Sequence, residues 1–200
     1  MASSNKDTYG SIDVQKWLGY LTIDEYKVLR TYAVLLSSGS TIVNIGAGAG
    51  TSGLMFAEVT GTSGFVYTVD IQEESNPHGC LQGERVVFEK AGLMHLKDKH
   101  WFQIHGDSKL VGKAWKGPGI DLLFIDGDHS YAGCAGDILS WYDNVKVGGI
   151  IAIHDYEETH PMKKQVYETT NELLLGIMNV EELVDCMIVL RKISDAPISK

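Results

Sequence analysis

TIVNIGAGAGTSG (residues 41–53) joins a β-branched run to a segment of helical spacing through a loop that contains four glycines. Gly46, Gly48 and Gly50 give the spacing G-x-G-x-G, and Gly48, Gly50 and Gly53 give G-x-G-x-x-G. Glycines here let the backbone approach a ligand closely and let the N–H groups of a helix start face it. The glycines alone do not choose between a dinucleotide and another adenosine-containing cofactor, and a tight turn without a ligand is the simpler alternative.

Short apolar runs alternate with segments of helical spacing along most of the chain. The runs that predict strands are TIVNI (41–45), FVYTVD (65–70), WFQIHG (101–106), IDLLFID (120–126) and GIIAIHD (149–155). The segments that predict helices cover about residues 52–59, 81–93, 109–115, 131–144 and 161–175. Strands that are apolar on both faces and alternate with helices indicate a parallel sheet covered on both sides. The sequence therefore predicts a doubly wound α/β fold.

The two ends of the chain depart from this alternation. Residues 12–20 and 23–36 carry apolar residues at helical spacing, which predicts a helical lead-in to the core. VEELVD (180–185) and CMIVLRK (186–192) follow each other without a helical segment between them, which predicts a closing antiparallel strand or hairpin. We expect one domain over residues 1–200, with an extension over 1–38 and a core over 39–200 that holds a seven-stranded, mostly parallel sheet.

Charge and composition limit the classes of partner. The net charge is −9, with 17 basic and 26 acidic residues, and the basic residues are scattered instead of forming a stripe. A surface that tracks nucleic-acid phosphates is therefore not expected. We expect no membrane span, because no apolar run approaches the roughly 18 residues that a spanning helix needs. The first ten residues, MASSNKDTYG, lack the basic start and apolar centre of a secretory signal, so we expect a cytoplasmic protein. Three separated cysteines argue against a disulfide framework. The sequence leaves a homo-oligomer open.

Asp70 gives the glycine loop its context. It ends the second predicted strand, 22 positions after Gly48, where an acidic residue that binds a ribose hydroxyl is expected in nucleotide-binding α/β folds. A strand before the loop, a helix after it and this carboxylate together favour an adenosine cofactor over an empty turn.

On these motifs the sequence resembles the class I S-adenosylmethionine-dependent methyltransferases. That family typically has an acidic residue two positions before the first glycine, where this chain has Asn44. An amide can still hydrogen-bond the ammonium group of the methionine, but it cannot neutralise the charge. The resemblance also implies an acidic residue near the adenine amine after the third strand, a position that Asp107 occupies with Ser108 beside it. The alternative for Asp107 is to cap the following helix.

Charged side chains follow the fourth and fifth predicted strands directly. IDGDHSY (125–131) places Asp126, Asp128 and His129 after the fourth strand, and His154 and Asp155 close the fifth. Neighbouring strands that end in carboxylates form a natural site for a hard divalent cation such as magnesium. The alternative is that these groups cap helices, which is the preferred interpretation for Asp128 but not for Asp126 or Asp155.

The pairing of IDGDHSY with IHDY (153–156) resembles a branch of metal-dependent O-methyltransferases that includes cephalosporin-tailoring and macrolide-sugar enzymes, and more distantly the catechol type. The resemblance implies that Asp126, His154 and Asp155 hold magnesium or a similar ion. His154 stands where these relatives usually have a carboxylate, which would favour manganese, iron or zinc, or leave no ion. His129 occupies the place of a lysine that helps to deprotonate the substrate in the catechol type, and imidazole suits a general base. A structural hydrogen bond is the alternative for His129.

The predicted activity is methyl transfer from S-adenosylmethionine to a hydroxyl of a small molecule, with Asp126 and His129 at the chemical centre. The first rival is a short-chain NAD(P)-dependent reductase, because Ser130, Tyr142 and Lys146 approximate its serine and Tyr-x-x-x-Lys spacing. The second rival is a domain that binds the cofactor without catalysis. We expect the acceptor to be selected by the N-terminal helices and by the irregular segment over residues 74–83.

Overall fold

The computed structural model describes residues 8–9, 12–13, 19–72 and 81–198. Its strands are β1 (Thr8–Tyr9), β2 (Ile12–Asp13), β3 (Thr41–Ile45), β4 (Phe65–Asp70), β5 (Trp101–His105), β6 (Ile120–Ile125), β7 (Val145–Ile153), β8 (Met178–Val184) and β9 (Met187–Lys192). β3 to β9 form a seven-stranded sheet in the order β5-β4-β3-β6-β7-β9-β8. β3 to β7 are parallel, whereas β9 runs antiparallel to β7 and β8 antiparallel to β9. The predicted sheet is confirmed, and the two closing strands form the hairpin.

Helices cover both faces of the sheet. They are α1 (Ile23–Val34), α2 (Thr51–Thr60), α3 (Leu81–Lys90), α4 (Ser108–Lys113), α5 (Tyr131–Trp141) and α6 (Lys164–Leu173), with single 3₁₀ turns at Met94–Leu96 and Tyr142–Asn144. One apolar cluster joins the sheet to α1, α2 and α3, and a second joins it to α5 and α6. The side chains of Ile42 and Val43 on β3 enter different clusters, because successive strand residues point to opposite faces.

The helices confirm the predicted pattern with small shifts at their ends. Glycine or a tighter turn ends several of them earlier than the apolar spacing suggests. The segment predicted over 131–144 finishes as a 3₁₀ turn, and the one predicted over 81–93 stops at Lys90. Within the described residues, no helix combines the length and the apolar character needed to cross a bilayer.

The helix expected over residues 12–20 is wrong where the structure describes it. Ile12 and Asp13 pair with Tyr9 and Thr8 in a short antiparallel ladder. Gly19 and Tyr20 form a turn, and Gly19 has a φ of 59°, which a right-handed helix does not allow. Residues 14–18 lie outside the described part of the chain, as do residues 74–80 of the irregular segment 74–83.

The register of the parallel strands aligns the ends of the strands in one row. Ile45 on β3 is paired with Val69 on β4 and with Ile125 on β6, and Ile125 is paired with Ile153 on β7. The next residue of each strand therefore emerges at the same edge, in the order Asp70, Gly46, Asp126 and His154. Because ligands bind beyond the carboxyl ends of the strands in open α/β sheets, this row marks the candidate site.

Candidate active site

A cavity of about 740 Å³ opens above the row of strand ends. This volume is typical of a site for a small molecule or cofactor. Two groups of residues line it. The glycine-loop half consists of Gly46, Gly48, Asp70, Asp107 and Ser108, and the carboxylate–histidine cluster consists of Asp126, His129, His154 and Asp155. The structure thus brings most of the predicted site residues around one space.

Three residues of the glycine loop adopt the left-handed backbone conformation, which determines the path of the loop. Gly46, Gly48 and Gly50 have φ angles of 89°, 49° and 82°. A Cβ atom at Gly46 would overlap the carbonyl oxygen of Asp126, so this glycine permits β3 and β6 to leave the sheet side by side. Gly50 does not line the cavity, and a Cβ there would lie 2.8 Å from Cα of Glu84. Gly50 therefore serves packing against α3, whereas Gly46 and Gly48 face the cavity.

Asp70 braces the glycine loop and lines the cavity. Its Oδ2 accepts a hydrogen bond from Ala47 N at 2.7 Å, and its Oδ1 accepts one from Gln72 N at 2.7 Å. A carboxylate offers about four acceptor positions, so both oxygens retain capacity for a ligand hydroxyl. The position is consistent with the predicted ribose contact.

Asp107 and Ser108 combine helix capping with a place at the cavity. Asp107 is the N-cap of α4, where its Oδ1 accepts from Lys109 N at 2.9 Å. The hydroxyl of Ser108 donates to Oδ1 of Asp137, and the backbone oxygen of Ser108 accepts from Trp141 Nε1. Both predicted roles of Asp107 are therefore compatible, while the Ser108 hydroxyl is engaged with the protein.

Asn44 lies below the floor of the site. Its side chain is fully buried and does not line the cavity. The amide Nδ2 is 3.4 Å from the backbone oxygen of Gly46, and Oδ1 is buried without a hydrogen-bond partner. The expected direct contact with a bound amino acid is thus not available in this arrangement, because β3 directs residue 44 into the sheet packing.

The carboxylate–histidine cluster forms where β6 and β7 end. Nδ1 of His154 lies 3.2 Å from Asp126 Oδ1 and 3.6 Å from Asp155 Oδ2. Asp155 has a φ of 58°, which turns the chain sharply and directs its carboxylate back toward Asp126. Burial raises the pKa of Asp126, but hydrogen bonds from His129 and His154 outweigh it, and the net pKa lies below the ordinary value. Burial also raises the pKa of Asp155, but hydrogen bonds from His129, His154 and Lys163 lower it well below its ordinary value, so both carboxylates are ionised at neutral pH.

His129 bridges the two carboxylates from the cavity side. Its Nε2 lies 2.8 Å from Asp155 Oδ2 and 3.6 Å from Asp126 Oδ1. Hydrogen bonds to Asp126 and Asp155 raise the pKa of His129 to about 9. The imidazole is thus protonated at neutral pH in this arrangement, and it can act as a base only after the ion pair with Asp155 opens and the ring releases a proton to solvent.

Two charged residues of the site were missed by the sequence analysis. Lys163, just before α6, lines the cavity, and its Nζ is 2.9 Å from Asp155 Oδ1. Glu25 on α1 is fully buried, and its Oε2 lies 3.2 Å from His154 Nε2. Burial raises the pKa of Glu25, but the bond with His154 and other donors lower it to about 2. No sequence signal identified Lys163, and Glu25 carried only that of a helix capping box, which it also forms with Thr22.

The rival interpretations of nearby residues are settled by position. Ser130 is the N-cap of α5, and its hydroxyl accepts from Gly133 N at 3.0 Å. Asp128 accepts from Ser130 N at 2.9 Å and so shapes the loop before that cap. Tyr142 is buried on a 3₁₀ turn, and Lys146 on β7 pairs with Asp121. Neither Tyr142 nor Lys146 lines the cavity, so the reductase arrangement is not formed.

The donor set of the cluster fits a divalent cation. One ligand atom from each of Asp126, His154 and Asp155 lies within 4.8 Å of the others. Adjacent ligands of an octahedral ion are about 3 Å apart when the metal–ligand distance is about 2.1 Å, close to the 3.2 Å and 3.6 Å found around His154 Nδ1. His129 and Lys163 now neutralise Asp155, so a cation would compete with them. The fit therefore requires the side chains of His129 and Lys163 to move aside and His154 to release the hydrogen on Nδ1.

Solved structures of low sequence identity share this fold. An S-adenosylmethionine-dependent O-methyltransferase from Thermotoga maritima is 20% identical, with a TM-score of 0.64 over 93% of this chain and 72% of that chain. The O-methyltransferase TomG of Streptomyces achromogenes, solved with S-adenosylmethionine, is 16% identical, with a TM-score of 0.66 over 88% and 82%. A Corynebacterium glutamicum protein is 15% identical, with a TM-score of 0.71 over 96% and 93%. The architecture is that of the class I methyltransferases, as the sequence motifs predicted.

Sequence comparison then identifies the family. An uncharacterized protein of Acanthamoeba polyphaga mimivirus is 39% identical over 59 residues, which cover 30% of this chain and 26% of that protein. The match thus spans only about a quarter of this curated relative. A family described as a methyltransferase domain matches residues 43–156, more than half of the chain. The chain belongs to this methyltransferase family.

Proposed function

We propose that the chain transfers a methyl group from S-adenosylmethionine to a hydroxyl group of a small acceptor molecule, with help from a divalent cation. The observation that carries the proposal is that one cavity joins the glycine-loop half to the carboxylate–histidine cluster. A methyl donor and an ionisable acceptor group must meet at one point, and the row of strand ends provides such a point.

The glycine-loop half is the candidate site for the donor. Gly46 and Gly48 line the cavity, open space surrounds Gly48, and α2 begins at Thr51 directly after the loop. The N–H groups at a helix start are suited to bind polar groups of a ligand. The Asp70 carboxylate is suited to the ribose hydroxyls, and Asp107 to the adenine side. Asn44 would not touch the methyl donor. Its amide would instead help to hold Gly46 in place, since Nδ2 bonds the backbone oxygen of that glycine.

The carboxylate–histidine cluster is the candidate site for the acceptor hydroxyl. In the proposed reaction the hydroxyl oxygen attacks the methyl carbon, the carbon–sulfur bond breaks, and S-adenosylhomocysteine leaves as a neutral thioether. The hydroxyl proton must pass to a base. His129 lines the cavity with its side chain 44% exposed, which makes it our candidate for that base once its ion pair with Asp155 has opened and its own proton has passed to solvent.

The cation would be held by Asp126, His154 and Asp155. When bound, a divalent cation lowers the pKa of a coordinated hydroxyl and so favours the nucleophilic alkoxide or phenolate. A bound cation would displace His129 and Lys163 from Asp155, because both now neutralise that carboxylate. The nitrogen ligand favours manganese, iron or zinc beside magnesium.

Calorimetric titration with S-adenosylhomocysteine, NAD and NADP tests the donor half. We expect saturable binding of S-adenosylhomocysteine alone, with a negative heat-capacity change because the cavity buries apolar surface. Binding of NAD or NADP without binding of S-adenosylhomocysteine would contradict the proposal and return the reductase to consideration.

Turnover separates the enzyme from a domain that only binds the cofactor. Purified protein is incubated with S-adenosylmethionine labelled in the methyl group, Mn²⁺ and a panel of phenols, sugars and hydroxy acids. The expected result is label in at least one hydroxyl acceptor, reduced about 10²- to 10⁴-fold in His129→Gln, the effect of losing a general base. Transfer to amines or thiols alone would refute O-methylation.

A further inference from the structure

Glu25 reaches the site from a distant part of the chain. It lies in the first turn of α1, 129 residues before His154, and its side chain is fully buried. Oε2 accepts from Thr22 N at 2.8 Å, and Oε1 accepts from Cys186 N at 3.0 Å and from Cys186 Sγ at 3.2 Å. Two backbone N–H groups from separate elements therefore fix this carboxylate in one orientation.

The ring of His154 is held between two acidic groups. Nε2 faces Glu25 Oε2 at 3.2 Å, while Nδ1 faces Asp126 Oδ1 at 3.2 Å. An ionised carboxylate only accepts hydrogen bonds, so the contact with Glu25 requires a hydrogen on Nε2. Nδ1 faces ionised carboxylates in the same way, so without a cation both ring nitrogens carry hydrogen. A cation that binds through Nδ1 replaces the hydrogen there, while the hydrogen on Nε2 can stay bonded to Glu25.

We propose that Glu25 is a positioning residue that acts through His154: it holds the imidazole by Nε2, so that Nδ1 is directed toward Asp126 and Asp155 and can ligate a cation there. The inference rests on the proposed function, because it assumes that the cluster binds a cation. A carboxylate behind a histidine ligand raises its basicity and fixes its ring. Cation binding is thereby coupled to the packing of α1 on the end of β7.

Glu25, His154 and the Cys186 thiol also lie close together, but they are a poorer cation site than Asp126, His154 and Asp155. The Sγ atom of Cys186 lies 3.6 Å from His154 Nε2 and accepts from Lys163 Nζ at 3.1 Å. The Glu25 oxygens are already occupied by hydrogen bonds from Thr22 N, Cys186 N and the His154 imidazole. The open coordination space therefore lies on the Nδ1 side, which faces the cavity.

Mn²⁺ titration of the full-length chain, followed by the electron paramagnetic resonance signal of free Mn²⁺, tests the proposal. Glu25→Gln keeps the shape of the side chain but removes its charge, and we expect its Mn²⁺ affinity to fall about 10- to 100-fold, as for other outer-sphere partners. Thr22→Val is the matched control: it removes the hydroxyl cap of the same helix and leaves Glu25 intact, so its Mn²⁺ affinity should stay within about twofold of wild type.

A double-mutant cycle shows whether Glu25 acts through His154. In a His154→Gln background, Glu25→Gln should change the Mn²⁺ affinity by less than about twofold. An equal loss in both backgrounds, or wild-type affinity in folded Glu25→Gln, would refute the role of Glu25 and leave the metal centre standing. Absence of Mn²⁺ binding by the wild type would refute the metal centre and this inference together, while donor binding would remain separately measurable.

Nitrogen-15 resonances of the wild-type protein loaded with Zn²⁺ test the same point without a variant, in case Glu25→Gln does not fold. We expect the His154 pattern of a ring that carries hydrogen on Nε2 and is metal-bound through Nδ1. A ring with hydrogen on Nδ1, or metal-bound through Nε2, would overturn the proposal.

Discussion

The glycine-loop half of the cavity is built mainly from backbone, whereas the carboxylate–histidine cluster opposite is built from charged side chains. Left-handed glycines and the Asp70 bond to Ala47 N shape the first. Ion pairs that join Asp155 to His129 and Lys163 shape the second. The backbone conformation of the glycine loop is fixed when the chain folds. The arrangement of the ion-paired side chains changes when another cation competes for Asp155. The first half is therefore suited to a constant ligand, and the second to groups that change during a reaction.

Asp155→Asn should separate the two halves with the largest effect. Asparagine tolerates the φ of 58° at this position, so the main change is loss of the charge that pairs with His129 and Lys163. Loss of one partner in a partly buried ion-pair network costs about 3 kcal/mol or more, and we expect Mn²⁺ affinity to fall at least about 100-fold. S-adenosylhomocysteine affinity, measured by calorimetry, should stay within about threefold of wild type.

Asp128→Asn is the control, because the Asp128 carboxylate bonds its own loop at Ser130 N. Its Mn²⁺ affinity should change little. Equal losses in the two variants would mean that general charge, not the cluster, governs cation binding.

Gly46→Ala should damage both halves, because this glycine touches the backbone of Asp126. A methyl group there overlaps the Asp126 carbonyl oxygen, and the φ of 89° is unfavourable for alanine. We expect the free energy of unfolding to fall by about 3 kcal/mol or more in urea titrations. Gly48→Ala has open space around the added methyl and a φ of 49°, so it should cost only about 1 to 2 kcal/mol. Similar losses for both would show that the contact with Asp126 is unimportant.

Glu84 is a buried carboxyl group on the glycine-loop side of the molecule, next to Gly50 and Gly53. It can be compared with the carboxylates of the carboxylate–histidine cluster. Burial raises the pKa of Glu84 to about 8, despite hydrogen bonds from Gln103 and Thr68. The unfolded chain releases this proton near the ordinary pKa of 4.5, so the folded wild type binds more protons between these values and loses stability as the pH rises.

Glu84→Gln removes that dependence. Between pH 5.5 and 7.5 we expect the variant to gain about 2 to 3 kcal/mol relative to wild type in urea unfolding. Glu89→Gln, which removes an exposed carboxylate from the same helix, controls for loss of charge. A constant difference between Glu84→Gln and wild type across this range would contradict the role assigned to burial.

Ser108→Ala should have the smallest effect. Ser108 lines the cavity, but its hydroxyl donates a hydrogen bond to Asp137. We therefore assign this hydroxyl no direct contact with the ligand. We expect a loss of about 1 kcal/mol in unfolding free energy and less than about a threefold change in S-adenosylhomocysteine affinity. A loss of affinity above tenfold would place the hydroxyl against the donor after all.

Local patterns predicted the parts of the site that depend on strand ends. Gly46, Asp70, Asp126 and His154 each follow an apolar run, and parallel register places such residues at one edge. Glu25 and Lys163 could not be found in this way, because their contacts depend on how α1 and the start of α6 pack against the end of β7. Asn44 is the reverse case. The motif identified its position, but the sequence did not show that its side chain is buried in the sheet and does not line the cavity.

The most direct test of the two-part site is a crystal structure of the chain soaked with S-adenosylhomocysteine and Mn²⁺, with anomalous data recorded for manganese. We expect S-adenosylhomocysteine against Gly46, Gly48 and Asp70, and a manganese peak about 2.1 to 2.3 Å from Asp126, His154 Nδ1 and Asp155. S-adenosylhomocysteine bound away from the glycine loop, or no manganese peak beside Asp126 at saturating Mn²⁺, would contradict it.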